Sequence, residues 1–235
     1  MHEADIMYPA VHGEYETIAK INEGFSIARF GDGETGVMTG TGYTRNVQCN
    51  ELSAELQHVM NTPSEHCLIG VPTMDKRGDK YKNWCRHIER YSKLYPPIRE
   101  YYSSFISRPD CGKWLRTVEY AKAVRSIWTG KSVAFIGSEP GRNKLAKVIE
   151  ETSDIVFIEC PWRDAYDEID NLERKALEAG KDIVILSAGV TATCLAYRLA
   201  PKVQAVDLGS IGGFLATMLH GHELTPEMAE NTSKI

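Results

Sequence analysis

The sequence predicts an α/β protein with a Rossmann-like parallel sheet that is covered by helices on both faces. From residue 131 onward, short apolar segments alternate with segments of helical periodicity. The apolar segments are nearly continuous runs rich in Val and Ile, which is typical of strands buried on both faces. With 235 residues, of which 43% are hydrophobic, the chain can bury a sizeable core. We expect a single domain over residues 1–235.

The N-terminal part contains a glycine-rich segment between predicted elements. Four elements are predicted before residue 72: helices at 14–22 (ended by Gly24) and 51–60, and strands at 25–30 and 67–71. The first strand leads into RFGDGETG (29–36), and residues 25–40 form one predicted loop. Gly40 and the β-branched residues around it disfavour a long helix directly after this segment.

An aromatic and basic insert is predicted over about 75–125. Aromatic and aliphatic residues between Tyr81 and Leu94 recur at helical spacing, and Pro96 interrupts the pattern. Such aromatic residues belong to the core in the simplest interpretation. The alternative is a lid or an acceptor platform, because sugars and bases both stack on aromatic rings.

The second half, residues 131–211, has a regular strand–helix rhythm and is followed by a short C-terminal tail. Strands are predicted at 132–137, 154–160, 182–189 and 203–209, and helices at 142–151, 165–179 and 191–200. Ligands of such sheets bind at the carboxyl ends of the strands. If all the strands share one sheet, five loops converge on one cleft: those at 32–34, 138–142, 161–164, 189–193 and 207–210.

Two hypotheses compete for the glycine-rich segment. Its glycines match the dinucleotide motif G-x-G-x-x-G, but Asp32 and Glu34 would then face a pyrophosphate with no counter-charge. Carboxylates are instead suitable ligands for Mg²⁺ or Mn²⁺, which bind proteins through one or two acids plus substrate phosphates. A third interpretation is a turn with solvated acids. The missing long helix favours the metal hypothesis.

Composition bears on the ligands and on the cellular compartment that we expect for the protein. The net charge of −5 disfavours non-specific nucleic-acid binding. The six cysteines are scattered without zinc-site spacing, so we expect free thiols in a reducing compartment. The acidic N-terminus has no apolar core of a signal peptide, and no apolar run reaches membrane-spanning length. We therefore expect a cytoplasmic location.

Five separated segments resemble one known family. RFGDGE (29–34) resembles the R-x-G-D-G-E signature of the GT-D-type glycosyltransferases. Four more segments resemble elements of that family in the same order: FISRPD (105–110), IWTGKSVAFIGSEPGR (127–142), CPWRDAYDEID (160–170) and SAGVTATCLAYRLAPKVQAVDLGSI (187–211). The resemblance covers most of residues 25–211.

This resemblance implies a hexosyl- or pentosyltransferase that uses a nucleotide-diphosphate sugar, with a UDP-sugar as the expected donor. Asp32 and Glu34 match the family's D-x-E site for Mn²⁺ or Mg²⁺. The implied donor-binding residues are Arg29, Gly31, Gly33, Arg108, Arg142, Thr191 and Thr193. The two threonines begin a predicted helix, where hydroxyls and free amides suit a phosphate, although Thr191 could instead be a helix cap. The acceptor is expected to be a saccharide on a lipid or a protein.

The last predicted strand departs from the family pattern. The family has D-x-G-H-x-D there, whereas this chain continues from Asp207 without the His and the second Asp. Asp207 is the first candidate for the base that activates the acceptor, and Asp164 is the second, because both lie at predicted strand ends. A transferase that has lost its activity is a further possibility.

Two more hypotheses stay open. One is a non-catalytic or NAD-type Rossmann nucleotide-binding protein. The second is a transferase whose acceptor is a modified base in DNA, for which the basic residues of the insert would supply a groove. A solvated basic helix face explains the same residues. The sequence leaves the oligomeric state open.

Overall fold

Seven parallel strands form the centre of the protein. The computed structural model describes residues 8–41, 49–73, 81–97, 99–108, 115, 117–139 and 151–209. The strands are β1 (Ser26–Arg29), β2 (Cys67–Val71), β3 (Tyr102–Ser103), β4 (Ser132–Gly137), β5 (Asp154–Glu159), β6 (Ile183–Ser187) and β7 (Gln204–Asp207). Their order across the sheet is β3-β2-β1-β7-β6-β4-β5. Because every pairing is parallel, all the carboxyl ends lie along one edge.

Helices cover both faces of the sheet, which confirms the predicted fold class. The described α-helices are α1 (Glu14–Asn22), α2 (Asp32–Met38), α3 (Asn50–Asn61), α4 (Tyr81–Tyr91), α5 (Val118–Arg125), α6 (Ile169–Glu178) and α7 (Val190–Leu199). Apolar residues of α3, α6 and α7 form a buried cluster on one face, and those of α1 and α5 form a second cluster on the other. Successive strand residues such as Ile27 and Ala28 enter opposite clusters, as the period of a strand requires.

Most predicted elements are confirmed within one or two residues, and three points differ. The insert predicted as helical also contributes β3, which pairs with β2 at Gly70–Tyr102 and Val71–Ser103. The predicted loop at 25–40 contains the short helix α2. Residues 165–179 begin with a 3₁₀ turn, Ala165–Glu168, before α6. The helix predicted at 142–151 and the C-terminal tail lie outside the described residues.

The adjacency of β1 and β7 determines where the site forms. Ile27 pairs with Val206 in parallel register. Because the two strands run in the same direction, the residues that follow Arg29 lie beside those that follow Asp207. The glycine-rich segment is thereby placed next to the last strand of the sheet.

Helix α7, which follows β6, is held against two neighbouring helices through Arg198. Its Arg198 donates two hydrogen bonds to Glu55 of α3, at 2.6 Å from Nε and 2.7 Å from Nη2, and a third to Asp170 of α6 at 2.6 Å. Paired contacts between a guanidinium and a carboxylate constrain orientation as well as distance. These contacts hold the C-terminal end of α7 against α3 and α6, at the end of the helix opposite to its first turn. None of the helices in the described part of the chain is long and apolar enough to cross a membrane.

Candidate active site

The D-x-E motif lies in the first turn of α2, directly after β1. The Gly31 amide donates a 2.7 Å hydrogen bond to Glu34 Oε2, and the Thr35 hydroxyl donates one of 2.8 Å to the Gly31 carbonyl. Glu34 thus satisfies an amide that precedes the helix, as a glutamate at the third helical position commonly does. These contacts, with the burial of Val37, explain why a segment rich in glycine is helical here.

Three carboxylates influence one another at this edge. Asp32 is exposed, whereas Glu34 is mostly enclosed by protein. Burial raises the pKa of Glu34 to about 7, and the negative charges of Asp207 and Asp32 add to the increase. Burial also raises the pKa of Asp207, although the Arg29 guanidinium opposes that shift. The corner therefore has an excess of negative charge that a cation would relieve.

Arg29 is buried at the end of β1 and holds three segments together. Its Nη1 donates to the Ser104 carbonyl at 2.8 Å and to the Ser107 hydroxyl at 2.7 Å, and its Nη2 lies 3.4 Å from Asp207 Oδ1. The Ser107 hydroxyl in turn donates to the Leu208 carbonyl at 2.6 Å. Arg29 thereby links β1 to the turn after β3 and to the end of β7. The sequence suggested a donor contact for Arg29 and gave no sign of this internal network.

Asp207 is almost fully buried, with 3% of its surface exposed. Its Oδ1 accepts the Gly209 amide at 2.9 Å in addition to facing Arg29. A carboxylate enclosed in this way has little access to an acceptor hydroxyl. Its geometry favours a role in holding Arg29 over the predicted role of general base.

The start of α7 closes the same corner. A Cβ atom at Gly33 would lie 3.0 Å from Val190 Cγ1, so the first turns of α2 and α7 approach closely where residue 33 has no side chain. The cap residue of α7 is Gly189, which offers no side-chain acceptor to the first amides. The alternative of a Thr191 cap is therefore wrong. The Ala192 amide already donates to the Gly189 carbonyl at 3.0 Å, so the amides that suit an anion at this helix start are those of Val190 and Thr191.

The two threonines predicted for donor binding differ in their surroundings. The Thr193 hydroxyl donates a 2.9 Å hydrogen bond to the Arg29 carbonyl, which ties α7 to β1. The Thr191 hydroxyl is completely buried and has no hydrogen-bond partner in the structure. Buried polar groups in native proteins are usually paired. Of the two threonines, Thr191 is thus the one whose hydroxyl is without a hydrogen-bond partner in the structure.

An aromatic group on the insert borders the acidic motif. Trp84, His87 and Tyr91 lie on one face of α4, and the ring of His87 is 5.2 Å from that of Trp84 and 4.8 Å from that of Tyr91. Burial lowers the pKa of His87, and the Asp32 charge opposes this shift. His87 was missed at the sequence level. Its spacing of three and four residues from Trp84 and Tyr91 is the signal that could have placed it on this face.

The remaining predicted site residues are not all brought to this corner. Asp164 follows the edge strand β5, four strand spacings from β1, which is about 19 Å across the sheet. Arg108 follows the turn that binds Arg29 and is partly buried, with its amide bonded to the Phe105 carbonyl. Arg142 lies outside the described residues. Loops of β1, β6 and β7 therefore form the described corner, and the loop of β5 is distant from it.

The donor atoms at the corner suit a hard divalent cation that is shared with a substrate. The described residues contain no group of three or more His, Cys, Asp or Glu side chains that could enclose a metal ion. Of the three carboxylates at the corner, Asp207 is engaged by Arg29 and the Gly209 amide, which leaves Asp32 and Glu34 for a cation. One oxygen of Glu34 already accepts the Gly31 amide. Mg²⁺ and Mn²⁺ bind in this way when phosphate oxygens and water complete their coordination.

The described cysteines are all free thiols.

Comparison with known proteins identifies the family. Residues 27–215 match the glycosyltransferase GT-D fold family. This chain belongs to the GT-D family. The matched range begins in β1, includes the D-x-E motif and extends past β7, so it contains every element that forms the corner.

Curated relatives of this GT-D chain are named as glycosyltransferases. A probable glycosyl transferase of Streptococcus gordonii is 28% identical over 205 residues, which are 81% of this chain and 30% of the relative. The glycosyltransferase GlyD of Streptococcus pneumoniae serotype 4 is 26% identical over 217 residues, which are 86% of this chain and 26% of that protein. The chain thus spans less than a third of the length of either relative.

Solved structures of similar chains have the same architecture. A conserved domain of unknown function 1792, described as having a distinct glycosyltransferase fold, superposes with a TM-score of 0.83 at 25% identity, over 95% of this chain and 89% of that one. A protein of Streptococcus sanguinis described as a new glycosyltransferase superposes with a TM-score of 0.79 at 25% identity, over 94% of this chain and 92% of that one. Family, relatives and fold together support glycosyltransferase function.

Proposed function

We propose that this GT-D domain is a metal-dependent glycosyltransferase that moves a sugar from a nucleotide-diphosphate sugar to an acceptor hydroxyl. The observation that carries the proposal is the convergence of the D-x-E motif with the start of α7. One side of the corner presents two carboxylates, and the other presents helix amides without a side-chain cap. A metal ion would be attracted to the carboxylates on one side, and the negative diphosphate that it binds would be attracted to the helix amides on the other.

The donor's diphosphate would lie between these two sides. The first amides of α7 would receive phosphate oxygens, and the unpartnered Thr191 hydroxyl lies in the same turn. We do not expect Arg29 to contact the diphosphate directly, because both of its terminal nitrogens already bind other groups of the protein. We therefore assign Arg29 the role of shaping the corner, with Arg108 and Arg142 as the proposed cationic contacts. A UDP-sugar is the proposed donor.

Asp32 and Glu34 would hold Mn²⁺ or Mg²⁺. When bound, such an ion supplies positive charge to the diphosphate leaving group. Glu34 contributes through its position, because the hydrogen bond from Gly31 fixes its carboxyl. Burial, with the charges of Asp207 and Asp32, raises its pKa to about 7, so a metal ion would displace a proton from Glu34 below that pH and bind more tightly above it. Asp32, exposed at the helix start, completes the pair without rearrangement of the core. The acceptor that we propose is a saccharide, and the proposed location is the cytoplasm.

Thermal-shift measurements test this function directly. Wild type is heated with UDP, GDP, CDP, ADP, their sugar conjugates and NAD, each with Mn²⁺ or with EDTA. We expect one nucleotide to stabilise the protein only with Mn²⁺; at ~100 times the dissociation constant, the gain is about 2.7 kcal/mol. Asp32→Asn should abolish this shift, because it removes a metal ligand that is exposed and contributes little to the fold.

Glu51→Gln is the matched control, since Glu51 is an exposed acid in the first turn of α3. Its nucleotide shift should equal that of wild type. A shift with NAD in EDTA would instead support a dinucleotide-binding protein. Binding of a nucleotide sugar with metal, without any release of nucleoside diphosphate, would support a transferase that has lost its activity.

A further inference from the structure

The proposed function leaves open where the acceptor binds, and the aromatic face of α4 bears on this question. This face consists of Trp84, His87 and Tyr91, whose side chains are partly exposed. It stands on buried residues, because Trp84 packs against Phe105 at 4.8 Å between ring centroids, and His87 Nε2 lies 3.4 Å from the hydroxyl of the buried Tyr95. The face is therefore preformed.

Two contacts attach this face to the D-x-E corner. The Tyr91 hydroxyl lies 3.2 Å from the hydroxyl of Thr41, three residues after the end of α2. Phe105 belongs to the turn in which Ser104 and Ser107 bind Arg29. The aromatic face and the acidic motif are thus parts of one connected surface. In agreement with this proximity, the negative charge of Asp32 acts to raise the pKa of His87 against the effect of burial, and that of Glu34 acts to raise the pKa of Tyr95.

The chemistry of the face suits a sugar. Aromatic rings offer flat apolar surface to the C–H groups of a pyranose, and a few polar atoms orient its hydroxyls. His87 provides such an atom, since its Nδ1 has no hydrogen-bond partner among the described residues, and an imidazole nitrogen can donate or accept. Of the exposed basic residues of α4, Arg86 lies on the other side of the helix, whereas the Arg90 guanidinium lies 5.2 Å from the centroid of the Tyr91 ring, at the border of this face.

We propose that the aromatic face of α4 is the acceptor subsite, that it binds a saccharide by stacking on Trp84, and that His87 holds a hydroxyl of that saccharide beside the donor. This inference rests on the proposed function for the identity of the reaction. The saccharide lies on the side of the D-x-E motif opposite β7, because β2 and β3 carry the insert to that side of β1. Donor and acceptor therefore enter from different directions.

Ligand-observed saturation-transfer NMR tests the subsite without turnover. The probes are lactose, maltose, cellobiose and N,N′-diacetylchitobiose, each with UDP and the diamagnetic ion Mg²⁺. We expect wild type to transfer saturation to at least one disaccharide, and Trp84→Ala and His87→Gln to weaken its binding by about 3–10-fold, the scale of one stacking or polar contact. Circular dichroism and the thermal midpoint show whether each variant is folded. His87→Gln keeps a polar side chain of similar reach should Trp84→Ala fail to fold.

Two variants are controls. Trp162→Ala removes a tryptophan that is 50% exposed beyond β5, and Arg86→Ala removes a charge from the other side of α4. Both should bind the disaccharide as wild type does. The nucleotide-dependent thermal shift, measured on the same variants, should be unchanged, so a failure of donor binding is distinguished from a failure of the subsite.

Several outcomes would overturn the assignment. One is a wild type that transfers no saturation to any of the four disaccharides, and another is binding by the Trp84 and His87 variants as tight as that of the controls. Loss of the nucleotide shift in both variants would assign α4 to the donor instead. Competition by a single-stranded DNA oligonucleotide, weakened by Arg86→Ala and by salt, would assign the insert to nucleic acid.

Discussion

Arg29 Nη2 and Asp207 Oδ1 lie 3.4 Å apart, and both side chains are almost completely buried. The two residues end neighbouring strands, so this contact joins the first strand of the sheet to the last. Arg29 also has two shorter hydrogen bonds to the turn after β3, whereas Asp207 has one to the Gly209 amide. The two residues therefore differ in how many other contacts they make, because Arg29 has two further hydrogen-bond partners and Asp207 has one.

Substitution of Arg29 should destabilise the protein more than substitution of Asp207. Arg29→Met leaves a buried carboxylate without its counter-charge and should cost about 3–5 kcal/mol. Asp207→Asn can still accept the Gly209 amide and should cost about 1–2 kcal/mol. Urea unfolding measures both, and the double variant should lose less than the sum of the single losses. Strictly additive losses would show that the two groups do not interact.

Gly209→Ala should destabilise the protein by more than the cost of placing an alanine in the left-handed backbone conformation. Gly209 has φ +59°, and a Cβ atom there would lie 2.4 Å from Arg29 Nη2. Gly180 has φ +58°, and a Cβ atom there would meet nothing within 4 Å, so Gly180→Ala isolates the cost of the left-handed conformation, about 1–2 kcal/mol. Urea unfolding should give a larger loss at 209, and the nucleotide-dependent thermal shift should weaken only there. Equal losses would indicate that the guanidinium moves aside freely.

The metal-free protein should become less stable as the pH rises from about 4.5 to about 7. Glu34 ionises near its ordinary pKa of 4.5 in the unfolded chain, but its pKa is about 7 in the folded state. Between these values the folded state binds more protons, so its stability falls with increasing pH, by up to about 3 kcal/mol. Thermal midpoints in EDTA, measured from pH 4 to 8, follow this loss.

Glu34→Gln is the control for this pH dependence, because a glutamine can still accept the Gly31 amide. The variant should have a flatter profile over the same range, with the remaining slope coming from groups such as Asp207, whose pKa is also raised. Mn²⁺ should stabilise wild type above pH 7 and have little effect on the variant. Identical profiles for the two proteins would show that Glu34 has an ordinary pKa.

Thr193→Val should loosen α7 from β1. Valine has nearly the same shape as threonine but cannot donate to the Arg29 carbonyl, so a buried hydrogen bond is lost without a cavity. We expect a loss of about 1–3 kcal/mol in urea unfolding, whereas Thr193→Ser, which keeps the hydroxyl, should lose less. A larger loss in the serine variant would mean that the methyl group, and not the hydrogen bond, stabilises this contact.

The sequence predicted the regular elements well because their signals are local. The strands β4 to β7 are nearly continuous apolar runs, and Pro201 and Gly180 mark the ends of helices that are packed against them. Helix α2 was not predicted because its glycines and short length disfavour it in isolation. Its stability comes from Glu34 and from packing against α7, which only the folded chain supplies.

The site was predictable where one motif carries it and not where distant segments meet. Asp32 and Glu34 lie close together in the chain, and the resemblance of RFGDGE to the family signature singles them out. The contacts of Arg29 with Ser104 and Ser107 depend on the placement of β3, a two-residue strand without a sequence signature. The position of His87 depends on how the insert packs against the sheet, which is a long-range property.

The neighbouring position of β1 and β7 also has a consequence for synthesis of the chain. Arg29 and Asp207 are 178 positions apart, so at about 5–20 residues per second the first strand is translated roughly 9–36 s before its partner. During that interval the acidic motif lacks the strand that completes its surroundings. A nascent or prematurely terminated chain would therefore be unable to capture a donor, and ligand binding would report that translation has passed the last strand.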